Sequence, residues 1–427
     1  MDSTRPAHKY QVLAVLLFGY TLNSFDRSIL SLLLEPIGRE FGASDTQLGL
    51  LSGLAFAVFY STLAIPIAAL ADRWHRRNVV VLSALLWTLM TALCGLAGSF
   101  MLLLVARMGV GMGEAGAGPA SHALLAGHFP KAQRATALGI FALGAPAGTM
   151  LAGLFGGWGG DHLGWRATLL LAAAPGVLLV PMLLFAIAEP SRALPVHQER
   201  RAPLRGVLWS LWSNLAFRHL CIACGLHSAA MYGAYGFNPA FLTRVHDWSG
   251  TEVGRLVAAT GLTGLAGTFL GGLLADRLGA SSGDPRWQLW VPAVATVALV
   301  PVQMLVYMGT GTPMVVALLL SSLLSLMFFG PSYATAQGLA TPATRAVAAA
   351  TVLFFKAAVG MALGPLLVGM ASDLLAPVAQ ASSLQLGLLL VPLFNLWAAM
   401  HFFHAARCLA THREATPAAQ AAEPRIA

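Results

Sequence analysis

Five ionisable side chains stand where water should be scarce. Asp26 and Arg27 fall within one long apolar run, Arg107 and Glu114 within another, and Lys356 within a third. A charge at the centre of a hydrocarbon layer costs about 2.5–3.5 kcal/mol on insertion scales, so each of the five needs a partner or a task. Arg107 and Glu114 are seven residues apart, two turns of an α-helix, and therefore share a face. That face must look into a protein interior, because lipid would leave both charges unpaired. Asp26 and Glu114 suit reversible proton binding: desolvation raises a carboxylate's proton affinity, and a guanidinium such as Arg107 lowers it. The planar fork of Arg27 suits a phosphate or a carboxylate. If a substrate anion and a proton meet at this cluster, each controls the binding of the other. The plainer reading is a static ion pair joining two helices. Lys356 is either a second anion contact or a side chain that reaches for water along a cavity wall. His122 follows Glu114 by eight residues, about 80° round a helix, and is read as a possible proton or substrate contact beside the blander hydrogen-bonded neutral imidazole. Tyr232, Tyr235 and Asn238 join the substrate-binding set by position alone.

The elements that must position these groups follow from composition. The chain has 427 residues, 57% hydrophobic and 10% charged, against roughly a quarter charged in soluble domains. Lipid must solvate most of this surface. A spanning helix needs about 20 apolar residues, and such runs lie near 10–34, 47–71, 79–99, 101–126, 135–159, 167–188, 219–243, 253–275, 288–309, 313–335, 343–372 and 384–406. They are too long for barrel strands, and only helices satisfy their own backbone within each segment. The first run is also too long for the apolar core of a cleavable signal peptide. An even number of spans puts both termini on one side. Lys and Arg crowd the loops of that side, for example Arg73, Arg76, Arg77, Lys131, Arg134 and Arg277, whereas the opposite loops hold only Arg39, Arg166, Arg244 and Arg255. The positive-inside rule makes the termini cytoplasmic. The net charge of +8 thus belongs to topology, and nucleic acid is not an expected partner.

Two motifs need a sober reading. Cys221 and Cys224 form a CxxC, but inside an apolar helix they read as small buried side chains, and no metal is expected. Gly111, Gly113 and Gly116 spell GxGxxG, yet a dinucleotide site needs a preceding strand, so these glycines read as close helix contacts and a kink. Gly139, Gly144, Pro146 and Gly148 read the same way. No P-loop and no nucleophile constellation argues for an enzyme, and no soluble sensor domain argues for a receptor.

The chain also repeats itself. Leu70-Ala-Asp72-Arg73 follows the second span, and Leu274-Ala-Asp276-Arg277 follows the eighth, 204 residues later. Two six-span halves in parallel repeat are the architecture of major facilitator transporters. The sequence resembles that superfamily, and its spinster branch in particular, over about 10–405. The resemblance is carried by Asp26-Arg27, by Leu70-Ala-Asp72-Arg73 with Arg76-Arg77, and by Arg107-Met-Gly-Val-Gly-Met-Gly-Glu114-Ala115. Phe129-Pro130 with Arg134, Phe141 to Gly148, Pro331 to Gln337, and Gly364-Pro365 to Asp373 extend it. Asp-Arg in the first span and Glu in the fourth are shared with organic anion:cation symporters of the superfamily. Ala68 stands where the loop motif usually opens with Gly, and Lys356 stands where a neutral residue is usual.

The expected fold is therefore an all-α membrane protein with the major facilitator fold, twelve transmembrane helices in two pseudo-symmetric six-helix bundles. The expected divisions are an N-terminal bundle at 1–190, a cytoplasmic linker at 191–217, a C-terminal bundle at 218–408 and a disordered tail at 409–427. The resemblance implies that Asp72 and Arg73, with Arg76 and Arg77, gate the cytoplasmic side against a helix N-terminus of the other half. Asp276 and Arg277 would be their pseudo-symmetric copy. It also implies a lysophospholipid-like substrate. The functional expectation is proton-coupled transport of an anionic or zwitterionic organic solute by alternating access, in a plasma (inner) membrane, by a monomer. The proton gradient would be the energy source, with no cofactor. A small organic acid:proton symporter is the alternative.

Overall fold

The computed structural model describes residues 6–189, 204–341 and 344–421. These residues form twelve long helices: α1 (Pro6–Phe41), α2 (45–73), α3 (Arg76–Gly95), α4 (Phe100–His128), α5 (131–162), α6 (Gly164–Ala186), α7 (Leu215–His246), α8 (Gly250–Ser282), α9 (Trp287–Met308), α10 (Gly311–Gly338), α11 (345–379) and α12 (Leu390–Ala421). A short helix, Leu204–Ser213, precedes α7. Among the described residues nine helices are long and apolar enough to cross a membrane. α1, α7 and α12 fall outside that set because polar residues interrupt their apolar runs. Phe185 is 76% exposed and Val378 88% exposed, an outward apolar surface that lipid covers and water would not. The tail expected to be disordered from 409 is helical as far as Ala421, in keeping with its Ala, Arg and Glu content. Residues 190–203 of the expected linker lie outside the described residues.

The chain divides into two compact units, 1–196 with 232–262 and 361–388, and 197–231 with 263–360 and 389–427. The first unit thus holds α1–α6 together with the ends of α7, α8 and α11 that lie away from the termini, called distal below. Glycine explains why those ends belong there. A Cβ on Gly153 would stand 2.5 Å from the Gly254 carbonyl, and one on Gly157 would strike the Gly250 carbonyl. α5 and α8 therefore meet backbone to backbone. A Cβ on Gly49 would strike the Pro365 carbonyl, and one on Gly53 would stand 2.8 Å from the Met361 carbonyl, so α2 and α11 meet in the same way. Side chains at these positions would hold the helices apart, and small residues are what let spans approach without a hydrophobic drive between them.

Caps set the helix starts at this end. Ser44 and Gln47 form a reciprocal capping box at the start of α2, and Ser249 with Glu252 does the same before α8. α1 ends at Gly42, whose φ of +59° only glycine adopts at no cost. Two π turns interrupt regular helix, Leu50–Leu54 in α2 and Lys356–Met361 in α11, and such turns concentrate at functional sites.

Bulk at either glycine seam should pry the distal ends apart. Gly157→Leu or Gly49→Leu is expected to cost on the order of 1–3 kcal/mol of overpacking in the closed arrangement. Spin labels on the distal ends of α5 and α8, or of α2 and α11, should read a longer mean distance. An unchanged distance distribution would show that the seams tolerate bulk.

Candidate functional site

The four charges of the N-terminal half come together between α1 and α4. Arg27 donates to Glu114 Oε2 through Nη2 at 2.6 Å and Nε at 3.0 Å, and its Nη2 also reaches Asn23 Oδ1 at 2.8 Å. Asp26 lies on the other side of α1. Its Oδ1 accepts the Thr91 hydroxyl of α3 at 2.8 Å, and Arg107 Nη1 stands 3.9 Å from its Oδ2. Asp26, Arg107 and Glu114 are 5%, 4% and 1% exposed. The arrangement is thus two crossed pairs, with Arg107 and Glu114 on one face of α4 but serving different carboxylate or guanidinium partners on α1. The formal charges cancel, which is the condition for holding them in a dry bundle.

An aromatic ring that sequence reasoning missed lies between the pairs. Phe56 of α2 has the Arg27 guanidinium 5.1 Å from its centroid and the Arg107 guanidinium 4.8 Å from it. Tyr60, one turn on, adds a second face for Arg27 at 4.8 Å. Each contact is an attraction between cation and π quadrupole. Two glycines make room for these neighbours: a Cβ on Gly111 would stand 2.5 Å from the Phe56 carbonyl, and one on Gly113 would stand 2.6 Å from the Trp87 nitrogen. The GxGxxG run is therefore a packing surface on α4, and the contact reading holds.

A cavity of about 30 Å³ opens beside Glu114, lined by Tyr20, Asn23, Tyr60, Trp87 and Phe141 among others. Glu114 Oε1 and Asn23 Nδ2 are buried without a hydrogen-bond partner. A ligand here would therefore meet an acceptor and a donor against aromatic walls, and Arg27 keeps a quarter of its side chain exposed (26%). Of the other expected contacts, Tyr232 lies within electrostatic reach of Arg27. Tyr235 stands beside Ser28 and Thr149, whose hydroxyls are 3.3 Å apart. Asn238 is half-buried one turn further along α7. His122 is exposed and edge-on to Phe141 at 5.3 Å.

In the second unit Lys356 opens the π turn of α11 and sits 4.4 Å from the Phe329 ring centroid. His227 is buried in a polar chain there. Its Nε2 meets the Ser325 carbonyl at 2.8 Å and its Nδ1 the Asn395 side chain at 2.8 Å, and Asn395 continues to Gln303 at 2.8 Å.

The loop residues expected to gate the termini's side are described only in part. The side chains of Asp72 and Arg73 lie outside the described residues. The backbone N–H groups of Arg76 and Arg77 are capped by Glu189, at 3.0 and 2.9 Å. Asp276 accepts from Gln288 at 2.8 Å, and Arg277 is exposed.

A set of interhelix caps and ion pairs that sequence reasoning did not name lies at the distal end. Asp161 of α5 accepts the first two backbone N–H groups of α8, from Gly250 at 2.9 Å and Thr251 at 2.7 Å. Asp373 of α11 accepts those of α2, from Asp45 at 3.0 Å and Thr46 at 2.8 Å. Each is a carboxylate on a helix N-terminus, where backbone donors and dipole both favour it. Arg244 of α7 adds a third fastener by bridging Glu35 of α1 and Asp45, at 2.8 Å to the latter, and Ser372 donates to Asp45 at 2.6 Å. The four distal arginines now have partners: Arg39 pairs with Glu35, Arg244 with Glu35 and Asp45, Arg166 with Glu40, and Arg255 faces Glu252. Glu40 is exposed, and hydrogen bonds from Arg166 and the Trp165 indole hold its carboxyl below the usual carboxylate range. A signal for these caps was present. Ser44-x-Thr46-Gln47-x-Gly49 recurs as Ser249-x-Thr251-Glu252-x-Gly254, and Gly157-xxx-Asp161 as Gly369-xxx-Asp373.

The profile of the Major Facilitator Superfamily matches residues 16–402. An "MFS-type efflux pump" of Mycolicibacterium smegmatis is 35% identical over 392 residues, covering 91% of this chain and 90% of that one. A probable galactarate/D-glucarate transporter of Bacillus subtilis is 24% identical, covering 76% of each chain. Among solved structures, a bacterial homolog to the human lysosomal transporter Spinster, in an inward-facing and unoccupied conformation, superposes with a TM-score of 0.86 at 27% identity, over 95% of this chain and 98% of that one.

Arg244→Ala should leave Glu35 and Asp45 buried without their shared cation. Removing one partner of a buried pair costs about 3–5 kcal/mol. The unfolding midpoint in detergent should therefore fall clearly, and Glu35→Gln in the same chain should restore part of it. An unaffected midpoint would mean that the bridge is solvated and contributes nothing.

Proposed function

Since this chain belongs to the Major Facilitator Superfamily, and is accordingly a membrane transporter and not an enzyme, we propose that it couples protons to the alternating-access transport of an anionic or zwitterionic organic solute of the lysophospholipid type. The observation that carries this reading is the unequal burial of one ion pair. Glu114 lines the cavity with its side chain 0% exposed, whereas its partner Arg27 keeps 26% of its side chain exposed. An anionic head group that takes the Arg27 fork displaces Glu114 from it. Glu114 is then a lone carboxylate in an apolar bundle, a state that a proton relieves. Anion and proton therefore bind together, and their affinities are linked. Asp26, already paired with Arg107, is the second carboxylate of the exchange, and Arg107 stabilises its ionised form.

Tyr232, Tyr235, Asn238 and His122 would complete the substrate's surroundings, and Lys356 would offer the second half's cation to the anion. The similarity to a spinster homolog supports an amphiphile. The aromatic cavity wall of Tyr20, Tyr60, Trp87 and Phe141 supports it too, since it would cover an apolar chain. By the distribution of Lys and Arg, the distal end is extracytoplasmic and both termini are cytoplasmic in the plasma membrane. The distal caps would then close the extracytoplasmic side. Asp72 and Arg73, with Arg76, Arg77, Asp276 and Arg277, would close the cytoplasmic side in the alternate state, in a chain acting as a monomer.

The coupling has a definite sign. Affinity for the anion should rise as pH falls, because acid supplies the proton that Glu114 needs once Arg27 is taken. Glu114→Gln should bind with an affinity that no longer varies with pH, and a proton gradient should no longer drive its transport. Proton-driven transport that survives in Glu114→Gln would reduce the pair to a static tie between α1 and α4.

Substrate class is separable by ligand-dependent thermal stability of the detergent-purified protein, with lysophospholipids and small dicarboxylates at several pH values. A ligand that binds only the folded state raises stability by RT ln(1 + [L]/Kd). A dose-dependent rise with a lysophospholipid that disappears in Arg27→Ala is the expected result. A rise with small carboxylates alone would move the assignment to an organic acid:proton symporter.

A further inference from the structure

A second, smaller cavity of about 10 Å³ lies behind Asp26, between α1, α3 and α6. Asp26, Trp87, Thr88 and Thr91 form its polar side, and Ala172, Ala173 and Gly176 of α6 close it. Two oxygens lining it, Asp26 Oδ2 and Thr88 Oγ1, are buried without a hydrogen-bond partner, and so is Arg107 Nε nearby. Both side chains are 5% exposed. Threonines in helices usually turn the hydroxyl onto the carbonyl one turn back, as Thr21, Thr62, Thr168 and Thr243 do in this chain. Thr88 makes no such bond. Instead its hydroxyl lies where a Cβ on Gly176 would fall, so only glycine at 176 leaves it room. The Arg107–Asp26 approach of 3.9 Å is an ion pair but too long for a hydrogen bond. Buried polar atoms around a space of this size are the setting of a single ordered water, which needs about 10–15 Å³ of room for its centre and makes two to four hydrogen bonds.

We propose that this pocket is a water site bridging Asp26 Oδ2 to Thr88 Oγ1, and that it gives Asp26 a proton-exchange partner of its own, separate from the cavity that serves Glu114. Trp87 lines both cavities and is the partition between them. The step is a simple transfer. The O–H bond on Asp26 breaks as the bound water takes that proton, and the hydronium so formed returns to water by giving one proton to bulk water. The carboxylate that remains is held by the Thr91 hydroxyl and by Arg107. The charged and titratable groups around Asp26 are Arg27 on α1, Arg107 and Glu114 on α4 and Cys94 on α3, while α6 presents only the small apolar residues of the cavity wall. Thr88 acts through the water and is a positioning residue.

The inference rests on the proton-coupling reading above, and its test separates the two. The carboxylic-acid infrared band that is lost in Asp26→Asn is followed against pH in the full-length protein, together with proton-driven transport. Thr88→Val keeps the side chain's shape beside Gly176 and removes the hydroxyl. It should move the midpoint of that band, and the alkaline limb of the transport profile, up by about one pH unit, because a carboxylate with less hydration holds its proton longer. Thr88→Ser should return both to the wild-type position. A band that titrates in the wild type and does not move in Thr88→Val would overturn the water site and leave proton coupling standing. A wild-type band that does not titrate at all would overturn the water site and the part of Asp26 in the exchange, and leave coupling through Glu114 to the Glu114→Gln test.

Discussion

Everything in the N-terminal half is arranged around the need to keep four charges dry and balanced. Asp26, Arg27, Arg107 and Glu114 cancel as a set, and the removal of any one leaves a lone ion in a medium that does not forgive it. Balance alone is not enough, because each pair also has unmet polar atoms at its back. The two cavities stand at those places, one beside Glu114 Oε1 and one beside Asp26 Oδ2. The close packing that brings the charges together follows from this. Gly111 and Gly113 let the backbones of α2 and α3 approach α4, and Phe56 then reaches both guanidiniums. A ring between two cations keeps them from repelling each other at full strength while excluding water.

Much of this was legible in the sequence. A charged residue inside an apolar run is a strong signal because hydrocarbon makes it costly, and Asp26, Arg27, Arg107 and Glu114 all proved to lie at one site. The helix count was legible for the same reason: apolar length and loop charge are independent constraints that agreed. Pairing was not legible. Asp26 and Arg27 are neighbours on one helix that point to different partners, and no spacing rule says which carboxylate meets which guanidinium. Phe56 was hidden because an aromatic residue in a membrane helix is ordinary by composition. Its role comes only from the guanidiniums that α1 and α4 bring to it. The distal caps and ion pairs were hidden differently. Asp161, Arg244 and Asp373 sit at helix ends, where charges are expected in any membrane protein, so their meaning lies in contacts across more than 80 residues of chain. The capping repeat at 44–49 and 249–254 carried that information at the level of pattern.

The distal set of caps also has a symmetry that the charge cluster lacks. α5 caps α8 and α11 caps α2, each with an aspartate one turn beyond a glycine that meets the opposite helix backbone. The same device is thus used twice, as expected of two halves in parallel repeat. Arg244 breaks the symmetry: it ties α7 to α1 and α2 through Glu35 and Asp45. The seam at α2 and α11 is therefore the more heavily fastened, with ion pair, hydroxyl and cap together, while the seam at α5 and α8 relies on its cap and its glycines.

α1 and α2 join those caps to the cluster. Arg27 and Glu35 lie on the same unbroken helix, eight residues apart, or about 12 Å along the axis at 1.5 Å per residue. A movement of α1 that frees Glu35 from Arg244 cannot leave Arg27 where it was. α2 makes the same journey from the Asp45 cap to Phe56, but through the π turn Leu50–Leu54. A π turn carries one residue more than regular helix needs, so it is the place in α2 where register can change without breaking the span. The rigid arm carries the charges and the adjustable arm carries the ring that lies between them. A ligand at Arg27 and closure at the distal end would therefore act on the same pair of helices, and a ligand that binds differently in the two closures would shift one through the other.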